Sequence, residues 1–502
     1  MPAQLFRVPD TSMILTSTLL PAAMVLGSAF PPQKSASKEA PVTPALQRAL
    51  DTISADEIKA DLMFVASDEM AGRDSPSPQL KVAARFIRSR LMRYGFEPAA
   101  PDDSYLYEWQ INSIGFDPAG SSAEVVAGGR TISFAYDADY LFPDWGSLGM
   151  RELSGEVVFG GDMSSSTLDD IDVEGRWVLS ATGKGVSRRR RRGLEKAGAL
   201  GVLVLPAADA KETVEETFRA NASRMTGTRL SFEGGGRTRA GFPIVHLKEG
   251  PARRLPMEEI EAASPGDVLS GWRMTERCSY GDQGKVTLEN VVGVWPGSDP
   301  KLKNEVIILS AHYDHVGVGS DGQIYNGADD NGSGTCGMLA LAEALKEYGP
   351  MRRSVMLMWV SAEEKGLLGS EAWTKDPYMP KGMKALCNIN IDMIGRNASN
   401  EFLITPTRRH KAYSALTRVA EANAALEGFD KIGSADAYWA RSDHANFERN
   451  MGLPVAFLFC DVHEDYHKPT DTPDKIDYDK MRRICRLVVR MLEALQIDRP
   501  KF

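Results

Sequence analysis

The chain has 502 residues, of which 43% are hydrophobic and 25% charged, and its formal net charge is −9 at pH 7. This length predicts two or three domains, and the composition is that of a globular protein, not of a disordered or fibrous one. The negative net charge argues against nucleic acid and anionic membranes, which call for a basic surface, so we expect neither as a partner.

The first residues are typical of an export signal. Arg7 precedes an apolar run at 14–26, and residues 27–29 are small enough for a cleavage site. We therefore predict a signal peptide over 1–29 and a secreted or periplasmic location, with a disordered or misassigned start as the alternative. Residues 30–48 are rich in Pro, Ser, Lys and Ala and predict a disordered linker. No other stretch is long and apolar enough to span a bilayer.

From 49 to 119 the sequence predicts ordered structure, including an amphipathic helix over 80–94 that Gly95 ends. Between 120 and 270 the pattern changes to short β-rich runs separated by Gly, Asp and Ser. This stretch contains one histidine, His246, and no dense carboxylate cluster. We interpret it as a module inserted into the main domain.

Residues 271–502 alternate between apolar strand-like runs and amphipathic helices. Such alternation predicts an α/β fold with a mostly parallel, mixed central sheet and helices on both faces. The predicted strands are 291–294, 306–309, 355–360, 385–391, 402–404 and 455–459, and the predicted helices are 338–348, 411–425 and 480–495.

Five cysteines are too few and too widely spaced for a disulfide framework or a structural zinc site. One or two individual disulfide bonds remain an alternative. They are Cys278, Cys336, Cys387, Cys460 and Cys485.

Four of the predicted strands are followed by histidine or carboxylate residues. In open α/β sheets the ligand site lies at the carboxyl ends of the strands, so these side chains are expected to meet there. They are His312 after 306–309, Glu363 and Glu364 after 355–360, Asp392 after 385–391, and His467 after 455–459.

Imidazole nitrogen and carboxylate oxygen suit Zn²⁺, and a pair of ions needs about five protein ligands, one of them bridging. Glu363 is adjacent to a ligand but is not needed as one. It is left free as a general base, because a carboxylate bound to a dication is a poor base. The five residues that fill the ligand set are His312, Asp329, Glu364, Asp392 and His467.

These segments resemble the co-catalytic dizinc aminopeptidases of the bacterial leucyl aminopeptidase and aminopeptidase Y type, which are related to glutamate carboxypeptidase. The resemblance covers most of 285–495, and Asp68–Arg73 is similar to the N-terminal part of that family. The segment 120–270 resembles a protease-associated domain at 172–179 and 196–203. The matching peptidase segments are 311–315, 326–331, 361–370, 390–395, 442–444 and 463–472.

The resemblance implies a secreted exopeptidase that removes N-terminal residues from peptides with two Zn²⁺ per chain. Asp329 would bridge the ions and Glu363 would be the base, while Asp314 would orient His312. His312 and Asp392 would complete one zinc site, and Glu364 and His467 the other. His315, His444 and His463 are left open between a supporting role at the site and simple structural hydrogen bonding.

Three alternatives stay open. A carboxypeptidase of the same superfamily would need a cation for the substrate carboxylate, and Arg396, Arg441 and Lys468 are near the motifs. A glutaminyl cyclase relative is expected to use one zinc, against which the intact His312 argues. A non-catalytic receptor on the same fold would be expected to lose ligands.

Overall fold

The computed structural model describes residues 42–136, 138–141, 149–163, 171–181, 186–206, 229–232, 242–319 and 322–497. The predicted signal peptide and most of the predicted linker lie outside these ranges. The first described helix begins at Pro44, inside the predicted linker 30–48.

The helices of the described residues are α1 (Pro44–Thr52), α2 (Ala55–Val65), α3 (Pro78–Tyr94), α4 (Arg188–Lys196), α5 (Glu249–Ala252), α6 (Met257–Ala262), α7 (Gly334–Tyr348), α8 (Leu368–Lys375), α9 (Ala415–Asn423), α10 (His444–Met451) and α11 (Tyr478–Ala494).

The strands are β1 (Glu97–Pro98), β2 (Leu106–Phe116), β3 (Ser122–Ala127), β4 (Arg130–Ala135), β5 (Tyr140–Leu141), β6 (Gly149–Gly161), β7 (Trp177–Ser180), β8 (Gly201–Val204), β9 (Arg229–Ser231), β10 (Ile244–Leu247), β11 (Val268–Trp295), β12 (Glu305–His312), β13 (Gly317–Val318), β14 (Ile324–Tyr325), β15 (Ser354–Val360), β16 (Lys384–Ile391), β17 (Glu401–Thr405), β18 (Lys431–Ser434) and β19 (Val455–Phe459).

Four neighbouring parallel strands, in the order β15, β12, β16 and β19, form the centre of the main sheet. β11 pairs antiparallel with β15 on one side, and β17 pairs antiparallel with β19 on the other. The predicted α/β fold with a mostly parallel, mixed sheet is confirmed.

Local sequence explains where the elements begin and end. Ser77 caps α3, since its hydroxyl accepts a hydrogen bond from the Leu80 amide at 3.0 Å, and Pro78 opens the first turn. Gly95 ends the helix with a φ of +85°, as its position in the sequence predicts. Every residue of β15 is buried, because packed layers cover both faces of a central parallel strand.

The β-rich stretch after residue 120 has hydrophobic clusters of its own. Trp177, Val245 and Trp272 belong to one of them, separate from the cluster that surrounds the parallel strands. β11 serves both parts of the chain, since its first half pairs with β3 and β6 and its last residues pair with β15. The interpretation of 120–270 as a protease-associated domain stays a prediction.

All five cysteines lie within the described ranges, and each is a buried free thiol. Of the helices in those ranges, none combines the length and apolarity needed to cross a bilayer.

Candidate metal centre

The carboxyl ends of the four parallel strands meet at one edge of the sheet. His312 is the last residue of β12, and Asp392 follows the last residue of the neighbouring β16. The two strands are in register, with Ser310 opposite Asn390. The parallel register therefore brings the His312 and Asp392 side chains together, and Nε2 lies 3.3 Å from Oδ1.

Three buried side chains form a first group of possible metal ligands, which consists of His312, Asp330 and Asp392. His312 Nε2 lies 3.4 Å from Asp330 Oδ1 and 3.3 Å from Asp392 Oδ1. The second Asp392 oxygen accepts a hydrogen bond from the Ser442 hydroxyl at 2.7 Å, which orients the carboxylate.

Four side chains form a second group, which consists of His315, Asp330, Glu364 and His467. His467 Nε2 lies 2.8 Å from Asp330 Oδ2 and 2.9 Å from Glu364 Oε1. His315 Nδ1 lies 2.9 Å from the same glutamate oxygen. Asp330 thus directs one oxygen to each group, which is the position of a bridging ligand.

Asp330 belongs to both donor groups, whereas the sequence prediction named Asp329 for this position. Asp329 Oδ1 accepts a hydrogen bond from the Gly395 amide at 2.6 Å, and Oδ2 faces His463 Nε2 at 3.3 Å. The cause is local backbone geometry, since Asp330 has non-helical dihedral angles (φ −99°, ψ 101°) within the turn Ala328–Ser333. Consecutive side chains on such a turn point in different directions, so only one of the pair faces the strand ends.

Asp471 holds this turn in place. Its carboxylate accepts hydrogen bonds from the backbone amides of Asp329 and Asp330, each at 3.1 Å. Three residues at the site have positive φ values, namely Ala362 at 53°, Met393 at 52° and His467 at 53°. Such backbone conformations are costly for residues other than glycine and cluster at functional sites.

Glu363 belongs to neither group of ligands. Its Oε2 atom lies 3.9 Å from His312 Nε2, and Glu363 lines a cleft together with the three residues of the first group. Asp314 accepts a hydrogen bond from the Glu363 amide at 3.1 Å, and its carboxylate lies 3.7 Å from His312 Nδ1. Glu363 and Asp314 therefore lie where the sequence analysis expected a base and an orienting residue.

The centre gathers buried negative charge. Burial raises the pKa of the Asp330 carboxyl to about 6, and the nearby Glu364 acts in the same direction. Burial also raises the pKa of Glu363 well above its ordinary value. For His312, burial acts to lower the pKa, but Asp392 and Glu363 outweigh it and the pKa is raised. Buried carboxylates that repel one another in this way are stabilised by a cation.

The donor atoms fit a metal ion. Asp330 Oδ2, His315 Nδ1 and His467 Nε2 are buried and have no hydrogen-bond partner within the described part of the chain. These atoms lie close together without hydrogen-bond geometry, as donors do when they point at a common centre. Tetrahedral Zn²⁺ with bonds of about 2.0–2.2 Å separates its ligand atoms by about 3.3–3.6 Å. The spacings of 2.8–3.7 Å within the second group bracket that value.

The cleft beside the first group has apolar walls. His444 is buried under it and stacks on Phe457, with ring centroids 4.6 Å apart. The Arg441 guanidinium lies 5.2 Å from the centre of the Tyr438 ring. Beyond the donor residues and Glu363, the lining consists of Met393, Tyr438, Arg441, Phe457, Phe459, Val462 and Tyr466.

Arg73 stabilises the backbone segments next to the site. The sequence did not identify it as a functional residue. Its side chain is fully buried and donates hydrogen bonds to four backbone carbonyls. Its only sequence signal was its place in the family-like segment Asp68–Arg73. The acceptors are Val65, Tyr313, Asn326 and Gly327, at 2.7–3.0 Å.

Comparison with known proteins gives the same picture. Residues 290–492 match the model of peptidase family M28. Aminopeptidase YwaD of Bacillus subtilis is 28% identical over 63% of this chain and 62% of its own length. A probable leucine aminopeptidase of Arthroderma otae is 29% identical over 38% of this chain and 54% of its own. The chain thus aligns with less than two thirds of these relatives.

Two solved structures share the fold. An aminopeptidase from Aneurinibacillus sp. strain AM-1 has a TM-score of 0.56 and 19% identity, covering 89% of this chain and 95% of its own. The zinc aminopeptidase BSAP from Bacillus subtilis has a TM-score of 0.54 and 18% identity, covering 88% and 95%. The resemblance drawn from the strand-end motifs is therefore confirmed. Over residues 290–492, the chain is similar to peptidase family M28, whose model matches this part of the sequence.

Proposed function

We propose that this protein is an aminopeptidase that holds two zinc ions and removes N-terminal residues from peptides. The observation that carries the proposal is the pair of donor groups that share Asp330, with Glu363 beside them and in neither. A shared carboxylate between two sets of histidine and acidic ligands is the arrangement that a two-metal hydrolase requires. The relatives named as aminopeptidases support the choice of reaction.

Bound zinc would polarise the scissile carbonyl and lower the pKa of water toward 7. The residues around the metal positions would transfer protons and orient the ligands. Glu363 is free to take the proton of the attacking water and to deliver it to the leaving amine. Asp314 and Ser442 orient His312 and Asp392 through their contacts with those ligands.

The apolar walls of the cleft are suited to the side chain of the N-terminal residue. Phe457, Phe459 and Val462 offer no charged atom to a substrate side chain, and Tyr438 adds a further ring. Burying an apolar side chain there is favourable by about 1.5–3 kcal/mol for a residue the size of leucine. We expect a preference for large apolar residues.

A carboxypeptidase is the second candidate, and Arg441 is the observation that favours it. Of the three cations near the motifs, Arg396 is paired with Asp465 at 2.8 Å. Arg441 lines the cleft and contacts aromatic rings, and no carboxylate of the described residues forms an ion pair with it. A substrate carboxylate is one partner that this guanidinium would accept.

The glutaminyl cyclase and receptor alternatives are less consistent with the donor set. Both groups are complete, with three donors in one and four in the other. An enzyme that uses one zinc ion would not require two donor groups, and a non-catalytic receptor would not require a donor group.

Dipeptides blocked at one end test the proposal. An aminopeptidase cleaves leucyl-alanine amide, whose amino group is free, and leaves N-acetyl-leucyl-alanine intact. The reaction should stop with a zinc chelator and return when zinc is restored. Cleavage of only the N-acetylated peptide would favour the carboxypeptidase. Cleavage of neither, by protein that holds two zinc ions, would contradict both.

We also propose that the protein is exported. The support is the charged and apolar pattern of residues 1–29. Expression of the full chain and of a chain lacking 1–29, followed by cell fractionation, tests this. Equal retention of both inside the cell would contradict export.

A further inference from the structure

His315 lies in the second donor group with a geometry that the five-ligand prediction did not include. We infer that His315 is a fourth protein ligand at this position, so that the two metal positions differ in kind. The inference rests on the proposed function and deepens it. One position is closed by protein atoms alone, and the other keeps a place for a reactant.

The first observation is the placement of the ring. His315 Nδ1 lies 2.9 Å from Glu364 Oε1 and 3.7 Å from Asp330 Oδ2, and the ring is fully buried. Its plane is nearly perpendicular to that of His467, with centroids 5.5 Å apart. The two imidazoles therefore approach the same carboxylate oxygens from different directions, as two ligands of one ion do.

The second observation is that neither nitrogen of His315 has a hydrogen-bond partner within the described residues. A buried imidazole that only stabilised the fold would be expected to satisfy at least one nitrogen.

The third observation is that the surrounding backbone leaves space for this ring. Gly327 has a φ of +60°, and a Cβ atom built on it would lie 2.4 Å from His315 Cγ. Glycine at this place is therefore required both by the backbone and by the imidazole. The imidazole occupies the space that a larger residue at 327 would take, beside the second group.

The number of donors then separates the two positions. His315, Asp330, Glu364 and His467 offer four protein atoms, and four is the number that a structural zinc site would take. The group around His312 supplies three, which is the number typical of catalytic zinc sites with one open place. The four-donor position should bind zinc more tightly, and substrate should approach the three-donor position.

Zinc-binding isotherms test the assignment, with Zn²⁺ alone as the probe and a competing chromogenic chelator. The metal-free full chain should bind zinc in two steps. His315→Ala should weaken the tighter step by at least about tenfold and leave the weaker step within about twofold, since the loss of even an indirect contact costs about 10–100-fold. His312→Ala should do the reverse. His410→Ala, which removes a half-buried ring packed against Trp439, should alter neither step.

Two equal affinities in wild type, or an unchanged tighter step in His315→Ala, would overturn the role of His315 while leaving the proposed function intact. No zinc binding by the wild-type chain would overturn both. A second measurement needs no variant. The first Co²⁺ bound by wild type should give intense tetrahedral absorption bands that added azide does not shift, whereas the second Co²⁺ should respond. Azide-sensitive bands from the first Co²⁺ would contradict a closed site.

Discussion

His312 Nε2 lies 3.3 Å from Asp392 Oδ1, although the two residues are 80 positions apart in sequence. The contact follows from the parallel register of β12 and β16, which places the ends of both strands at the same edge of the sheet. Glu364 and His467 reach the same edge after β15 and β19. The candidate metal centre is therefore a consequence of strand order, and its donor atoms depend on which side chains follow each strand.

Asp330 is expected to be the residue on which both metal positions depend. Asp330→Asn removes a charged oxygen from each group, and an amide is a poor zinc ligand. We expect zinc affinity to fall by more than about a hundredfold at both positions, because even indirect contacts are worth about 10–100-fold. Metal analysis after dialysis measures the loss.

Asp329→Asn is the matched control for that variant. The amide oxygen is still able to accept the hydrogen bond from Gly395, so bound zinc should stay near the wild-type amount. Loss of zinc from Asp329→Asn, with retention by Asp330→Asn, would restore Asp329 as the bridging ligand.

Glu363 should act in turnover without holding metal. Glu363→Gln keeps the size of the side chain but removes the base, and we expect kcat to fall by about 10²–10⁴-fold. Zinc content should be unchanged, since Glu363 belongs to neither donor group. Glu364→Gln is the comparison, and it should lose zinc from the four-donor position. Near wild-type turnover by Glu363→Gln would remove its assignment as base.

Arg73 should be needed for stability. Arg73→Met leaves four buried carbonyls without their donor, and each unsatisfied group costs about 1–3 kcal/mol. We expect the free energy of unfolding to fall by at least about 3 kcal/mol in chemical denaturation. Arg93→Met, on the exposed side of α3, should change it by less than about 0.5 kcal/mol. Equal effects of the two substitutions would contradict the supporting role of Arg73.

Tyr438 should contribute to substrate selection. Tyr438→Ala removes one apolar wall of the cleft, so kcat/KM for a leucyl substrate should fall by about tenfold or more. An alanyl substrate, whose side chain is too short to reach the ring, should lose less. Tyr378→Ala, at an exposed tyrosine that does not line the cleft, should leave both values unchanged. An equal loss of kcat/KM for the leucyl and alanyl substrates would mean that the substrate's apolar side chain does not bind against Tyr438.

Much of the fold and the site followed from sequence because buried parallel strands have a strong pattern. The apolar run 306–309 predicted β12, and residues after such runs are forced to one sheet edge. The direction of a side chain on a tight turn has no such pattern. The pair Asp329-Asp330 was therefore visible, while the one that belongs to both donor groups was not.

Arg73 and His315 illustrate a second limit. Each depends on contacts with segments distant in the chain, such as the carbonyls at 313 and 326–327 for Arg73. Their chemical types alone are equally compatible with a surface cation and a structural histidine. The folded structure shows that the His315 ring lies against the donor group, with Nδ1 2.9 Å from Glu364 Oε1.

Titration of the metal-free protein with zinc, with turnover of a leucyl chromogenic substrate followed at each addition, tests the central claim most directly. The two donor groups predict that binding saturates at two zinc ions per chain and that full activity appears only when both are bound. Full activity in the presence of a strong chelator, or no activity at two bound zinc ions, would contradict the account.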